Sequence, residues 1–147
     1  MSYRYFGLIM LFVTTITTVF LSIPLRVDAS GNNCEPYGCF SGGPGCNCIE
    51  VIGVSQRVDK VKAKGWIPPT NSNVSHVYHF ELSAKTWHHN TPDKVWEKSE
   101  FGGSVESNWV DVKKSFPDGT GVCSRLWEKV EGRWKEAGKM ACVKITR

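Results

Sequence analysis

Four histidines, His76, His79, His88 and His89, are the side chains best suited to chemistry in this chain of 147 residues. Imidazole titrates near neutral pH. Two of them beside a lysine or arginine would supply the acid, the base and the anion-stabilising charge of a small ribonuclease-like hydrolase. The available cast is His79, one of His88 or His89, and Lys85 or Lys94. Metal binding is the other use of imidazole. His76 and His79, three apart, share a face on a helix but not on a strand, and no carboxylate or thiol stands at a telling offset. No metal ligand and no cofactor are therefore assigned, and His79, His88 and His89 stand only as weak catalytic candidates. Serine chemistry is not indicated, because no G-x-S-x-G occurs. Gly42-Gly43-Pro44-Gly45 lacks the ending of a phosphate loop.

The second resource is aromatic: Trp66, Trp87, Trp96, Trp109, Trp127 and Trp134. An indole buries a large area yet keeps an N–H that needs a partner, so it suits both a core and an adhesive surface. Trp109, Trp96 and one of Trp127 or Trp134 are expected in the core. The others, flanked by charge as in Glu131-Gly132-Arg133-Trp134-Lys135, are expected to form an exposed patch, with Trp127 and Trp134 as its binding residues. Tyr37 and Phe40, in a loop stiffened by cross-links, are a second candidate binding surface. The formal charge of +4 comes from interleaved acids and bases without a basic stripe, which disfavours nucleic acid as a partner. An extracellular protein, a glycan or a membrane surface remains.

The segments that must position these residues begin with residues 1–29, which read as a signal peptide. Arg4 precedes an apolar run from Phe6 to Ile23, Pro24 and Arg26 break it, and Val27 and Ala29 suit cleavage after Ala29. Retention as a membrane anchor is the alternative. Cys34, Cys39, Cys46, Cys48, Cys123 and Cys142 follow, an even set that in an exported chain implies three disulfides. Spacing favours pairing of the first four among themselves and of Cys123 with Cys142. A clasp from the first group to 123 or 142 is the alternative. Asn73-Val74-Ser75 is an acceptor for N-glycosylation.

Period-two alternation predicts a strand over 74–82, with His76, Tyr78, Phe80 and Leu82 facing the core and His79 and Glu81 facing out. A strand over 48–54 leads into a basic segment ending at Lys64, then a connection over 65–73. Thr91-Pro92-Asp93 has the chemistry of a helix start, which predicts a short helix over 92–100, with a turn into a Trp-containing strand as the alternative. The run 104–112 is expected to be bent near Trp109 or buried on both sides, and Phe116-Pro117-Asp118-Gly119 to be a turn. A C-terminal antiparallel meander is expected to reverse at Gly132 and again at Gly138. Its disulfide would cross between outer strands, on the face opposite the apolar side chains.

These features imply a small secreted, disulfide-stabilised domain, α+β or mainly β. Residues 1–29 form the signal peptide, 30–48 a cysteine-rich arm and 49–147 a β-rich domain closed by a hairpin. The function they support is an extracellular binding or effector module acting on a protein, glycan or membrane target. A small hydrolase and a non-catalytic structural component are the competing classes.

Overall fold

A computed structural model describes residues 30–35, 46–67, 76–96 and 103–147. Alternating apolar and polar side chains carry these stretches into strands: β1 (Gly31–Glu35), β2 (Cys46–Val54), β3 (Arg57–Ile67), β4 (His76–Ala84), β5 (Trp87–Asn90), β6 (Lys94–Trp96), β7 (Gly103–Glu106), β8 (Val110–Ser115), β9 (Gly121–Val130), β10 (Arg133–Glu136) and β11 (Ala141–Lys144). They form two antiparallel sheets. In the first, β1, β2 and β3 are neighbours, and β7 and β8 lie end to end along the far side of β3. In the second, β4 and β9 are central, β10 and β11 lie end to end beside β9, and β5 and β6 do so beside β4. Of the stretch 30–48, β1 and the start of β2 are laid into the first sheet.

The core is aliphatic. Ile49, Val51, Val61, Ala63 and Val105 of the first sheet meet Phe80, Leu82, Val122 and Leu126 of the second. The sheets come close at Gly65, where an added Cβ would sit 2.6 Å from Leu126 Cδ2. Branched aliphatic residues fill so narrow an interior, and the indoles are left to its margins. None of the six tryptophans is fully buried. This corrects the expected core placements: Trp96 only packs against the rim, Trp127 is half-buried, and Trp109 and Trp134 are 38% and 36% exposed.

The β4 alternation is as expected, with Tyr78, Phe80 and Leu82 buried and His76 at the rim. The expected connection over 65–73 is overturned at its start, because Gly65 and Trp66 continue β3 and pair with β2 and β7. The expected helix over 92–100 is overturned as well. Among the described residues there is no helix, and the α+β alternative gives way to an all-β fold. Thr91 caps nothing: its N–H donates to the Phe80 carbonyl and its Oγ1 accepts from the Phe80 N–H, both at 2.9 Å. Ser107 makes the same pair of bonds on the other sheet, its N–H to the Ala63 carbonyl and its Oγ from the Ala63 N–H, again both at 2.9 Å. A hydroxyl thus stands in for a ladder carbonyl at each break, satisfying the central strand while the edge chain swings away. The second break contains Trp109, where the sequence predicted a bend.

The C-terminal meander is corrected to one hairpin. Glu131 and Gly132, with φ of 50° and 78°, reverse the chain between the paired residues Val130 and Arg133, as a two-residue hairpin turn requires. Gly138 does not reverse it. Ala137 N–H keeps the ladder by donating to the Leu126 carbonyl at 2.7 Å, and β11 resumes pairing with β9 at Ser124. Cys123 and Cys142 are therefore directly opposed on adjacent strands and not between outer ones. Their bond lies on the face away from buried Val122, Ser124 and Leu126. Cys34 and Cys48 are bonded across β1 and β2 in the same opposed manner, and Cys46 is also in a disulfide.

These cross-links lie along one side of the sandwich, and polar bonds close that side. Asn33 Nδ2 of β1 donates to the Cys142 carbonyl of β11 at 2.9 Å. Fully buried Asn47 donates through Nδ2 to the Ser124 carbonyl and to the Lys139 carbonyl at 3.3 Å, and its Oδ1 accepts from Ser124 Oγ at 2.9 Å. On the opposite side both edge strands are interrupted, and among the described residues Lys94 Nζ reaches across to the Glu106 carbonyl.

Candidate binding face

The outer face of the second sheet gathers four of the charged and aromatic residues that the sequence singles out, His79, His88, Trp127 and Trp134. Directly opposed residues on neighbouring strands point the same way, so the register assembles this surface. His79 stands opposite Trp127, which stands opposite Glu136; Glu81 stands opposite Arg125; Lys129 stands opposite Trp134. The Trp134 ring reaches across β9 to meet the His79 ring edge-on, with centroids 4.4 Å apart, and Lys129 Nζ lies 5.7 Å from the Trp134 centroid. Exposed Val95, opposite Val77, extends the apolar ground beside them.

Polar contacts hold His79 and Trp127 in place. His79 Nδ1 lies 3.1 Å from Asp93 Oδ1. Trp127 Nε1 donates to Glu81 Oε2 at 2.8 Å, and His88 Nε2 lies 3.4 Å from the other oxygen of the same carboxylate. The indole hydrogen bond, helped by His88 and Arg125 and opposed by burial, holds the Glu81 carboxyl below its ordinary range. Arg125 Nε is 3.8 Å from Glu136 Oε1. The result is a shallow surface of two indoles set among carboxylates, imidazoles and a guanidinium.

The candidate catalytic set is divided by the sheet. His79 and His88 lie on the outer face, whereas His89, opposite Leu82, and Lys94, opposite Tyr78, project from the inner one. Lys85 sits in the turn between β4 and β5. His76, also on the inner side, contacts Glu128 through Nδ1 and packs near Trp96. Among the described residues, no group of three or more His, Cys, Asp or Glu side chains converges as a metal site would require. Tyr37, Phe40, Cys39, Asn73 and residues 1–29 lie outside the described residues.

Alternation places Glu81 beside His79 on this face, but the sequence does not point to Asp93, Arg125 or Glu136 as parts of it. Asp93 was assigned to a helix start, and no local pattern connects Glu136 to Arg125. The chain matches no protein-family model, no curated protein and no solved structure.

Proposed function

We propose that this protein is a secreted binding module that holds an extracellular glycan on the outer face of the six-stranded sheet. The observation that carries this reading is the Trp134 ring, exposed beside His79 and set next to the Trp127–Glu81–His88 chain of hydrogen bonds. A sugar ring presents an apolar C–H face and a rim of hydroxyls. The first stacks on an indole, and the second needs donors and acceptors already oriented in pairs. Glu81, His88, Arg125 and Glu136 offer both kinds, held by one another so that little side-chain entropy is lost on binding.

Glu81, Glu136 and Asp93 on the same face argue against an anionic lipid surface, which they would repel. His89 and Lys94 lie on the other face from His79, and His88, though it shares the outer face, stands opposite Ser83, about 13 Å along β4 from His79, which argues against the hydrolase alternative. The disulfides favour an oxidising compartment, and among the described residues no helix is long and apolar enough to cross a membrane.

The test is sedimentation of the full chain with insoluble cellulose, chitin, xylan and mannan, comparing wild type with Trp134→Ala. Binding to at least one polymer, weakened about tenfold or more by the substitution at unchanged thermal midpoint, supports the reading. Binding to none of the four, or equal binding by the variant, rejects it.

A further inference from the structure

The side of the sandwich away from the disulfides contains a second feature that the glycan face does not use. Where both edge strands are interrupted, the two departing segments face one another across a cavity of about 340 Å³, in the range of small-molecule sites. Pro92, Trp109 and Val110 give it apolar walls, and His89, Lys94 and Asn108 give it polar groups. We propose that this cavity binds a small amphipathic organic anion, an apolar ring bearing one carboxylate.

The walls are fixed before any ligand arrives. Thr91 and Ser107 are both buried, and each is tied by two hydrogen bonds to the central strand of its own sheet. Lys94 Nζ donates to the Glu106 carbonyl at 3.1 Å, bridging from one sheet edge to the other. Lys60 Nζ lies over one face of the Trp109 ring, 4.8 Å from its centroid. An indole exposed as Trp109 is, but braced by a cation, offers a flat surface at little ordering cost.

Charge selects the ligand class. Among the described residues, Lys94 and His89 line the cavity and no carboxylate does. Glu106 lies outside that lining, bonded to Lys62 Nζ at 2.9 Å while also feeling the Lys94 charge, and Asp93 pairs with His79 on the outer face. An ammonium has three N–H bonds and the Glu106 carbonyl takes one, so a carboxylate on the cavity wall can accept another as a charge-assisted bond. A neutral ring would leave that ammonium no anionic partner inside the cavity, and a bare anion would leave the Trp109 and Pro92 surfaces uncovered.

The probes are benzoate, benzyl alcohol and acetate, titrated into the full chain while the Trp109 indole N–H is followed by NMR. Benzoate is expected to give a saturable shift, with the other two binding at least about tenfold more weakly. Lys94→Gln is expected to cost benzoate about tenfold, Lys94→Arg to retain most of the affinity, and Trp134→Ala to leave it unchanged, which separates this site from the glycan face. No saturable shift with benzoate, or equal affinity for benzoate and benzyl alcohol, overturns the proposal. Should Lys94→Gln fail to fold, Trp109→Ala on the exposed wall replaces it. Unchanged benzoate affinity in either folded variant also overturns the proposal.

Discussion

Glu81 shows how one side chain can serve both the stability of the fold and the readiness of its surface. Its carboxyl is held below the ordinary value of 4.5 chiefly by the Trp127 indole N–H, so the ionised form is favoured in the folded state. A group with a depressed folded pKa contributes stability that is fully present above its unfolded pKa and is lost as pH falls through the folded one. Trp127→Phe keeps the ring and removes the donor. It is expected to raise the Glu81 pKa toward its ordinary value, measured by NMR titration, and to lower stability above the ordinary carboxylate pKa by about 1 kcal/mol. If the Glu81 titration does not move, the indole is not what holds it. The outward placement of His79 and Glu81 was legible from alternation alone. Trp109 was not legible, because a neighbourhood of Val110 and Val112 reads as core, whereas its environment is decided by Lys60 on β3, far away in the chain.

At the scale of the element, the segment 91–96 shows where local chemistry misleads. Threonine, proline and aspartate in succession satisfy every requirement of a helix start, and nothing nearby contradicts them. The deciding group is the backbone N–H of Phe80 on a central strand, which would be buried without an acceptor if Thr91 turned away into a helix. A short helix with a thin apolar stripe has little stability of its own to set against that loss. Thr91→Val, which keeps the shape and removes the acceptor, is expected to cost about 1 to 3 kcal/mol in urea unfolding, while Thr91→Ser costs much less. Equal losses in the two variants would show that the methyl group and not the hydroxyl matters here. The β9–β10 hairpin was legible for the opposite reason: Gly132 sits at a left-handed position, and the turn it permits depends on no distant partner.

For the whole molecule, the sequence indicated which cysteines pair locally but not that the pairs flank one side of a sandwich. Spacing placed Cys34 with its near neighbours and Cys123 with Cys142, and both bonds are present in that partition. The closing of that side by Asn47, Ser124 and Asn33 joins residues far apart in the chain, and no periodicity reports such a contact. Removing the second disulfide as Cys123→Ala with Cys142→Ala frees a loop of 19 residues' separation and is expected to cost about 3 kcal/mol, read as a lower urea midpoint. Glycan and benzoate binding should survive, since the rings of the binding face, though on the same face as this bond, are held by their own polar contacts and the cavity lies on the opposite side. Loss of either in the folded variant would mean that the disulfide side positions the sites.

The interrupted edges also govern how copies of this protein meet one another. An exposed outer strand is a row of unpaired amide groups that invites a second molecule to add its own strand, and the invitation grows with length. The central strands β2, β3, β4 and β9 run from 9 to 11 residues. The outer strands run from 3 to 6, because three of the four edges break and restart and the fourth, β1, is short. A neighbour trying to extend either sheet finds no outer strand longer than six residues, and on β10 it finds Arg133, Lys135 and Glu136 as well. The hydroxyls of Thr91 and Ser107, which stand where the outer strands break beside the cavity, therefore also shorten the template offered to a neighbouring copy.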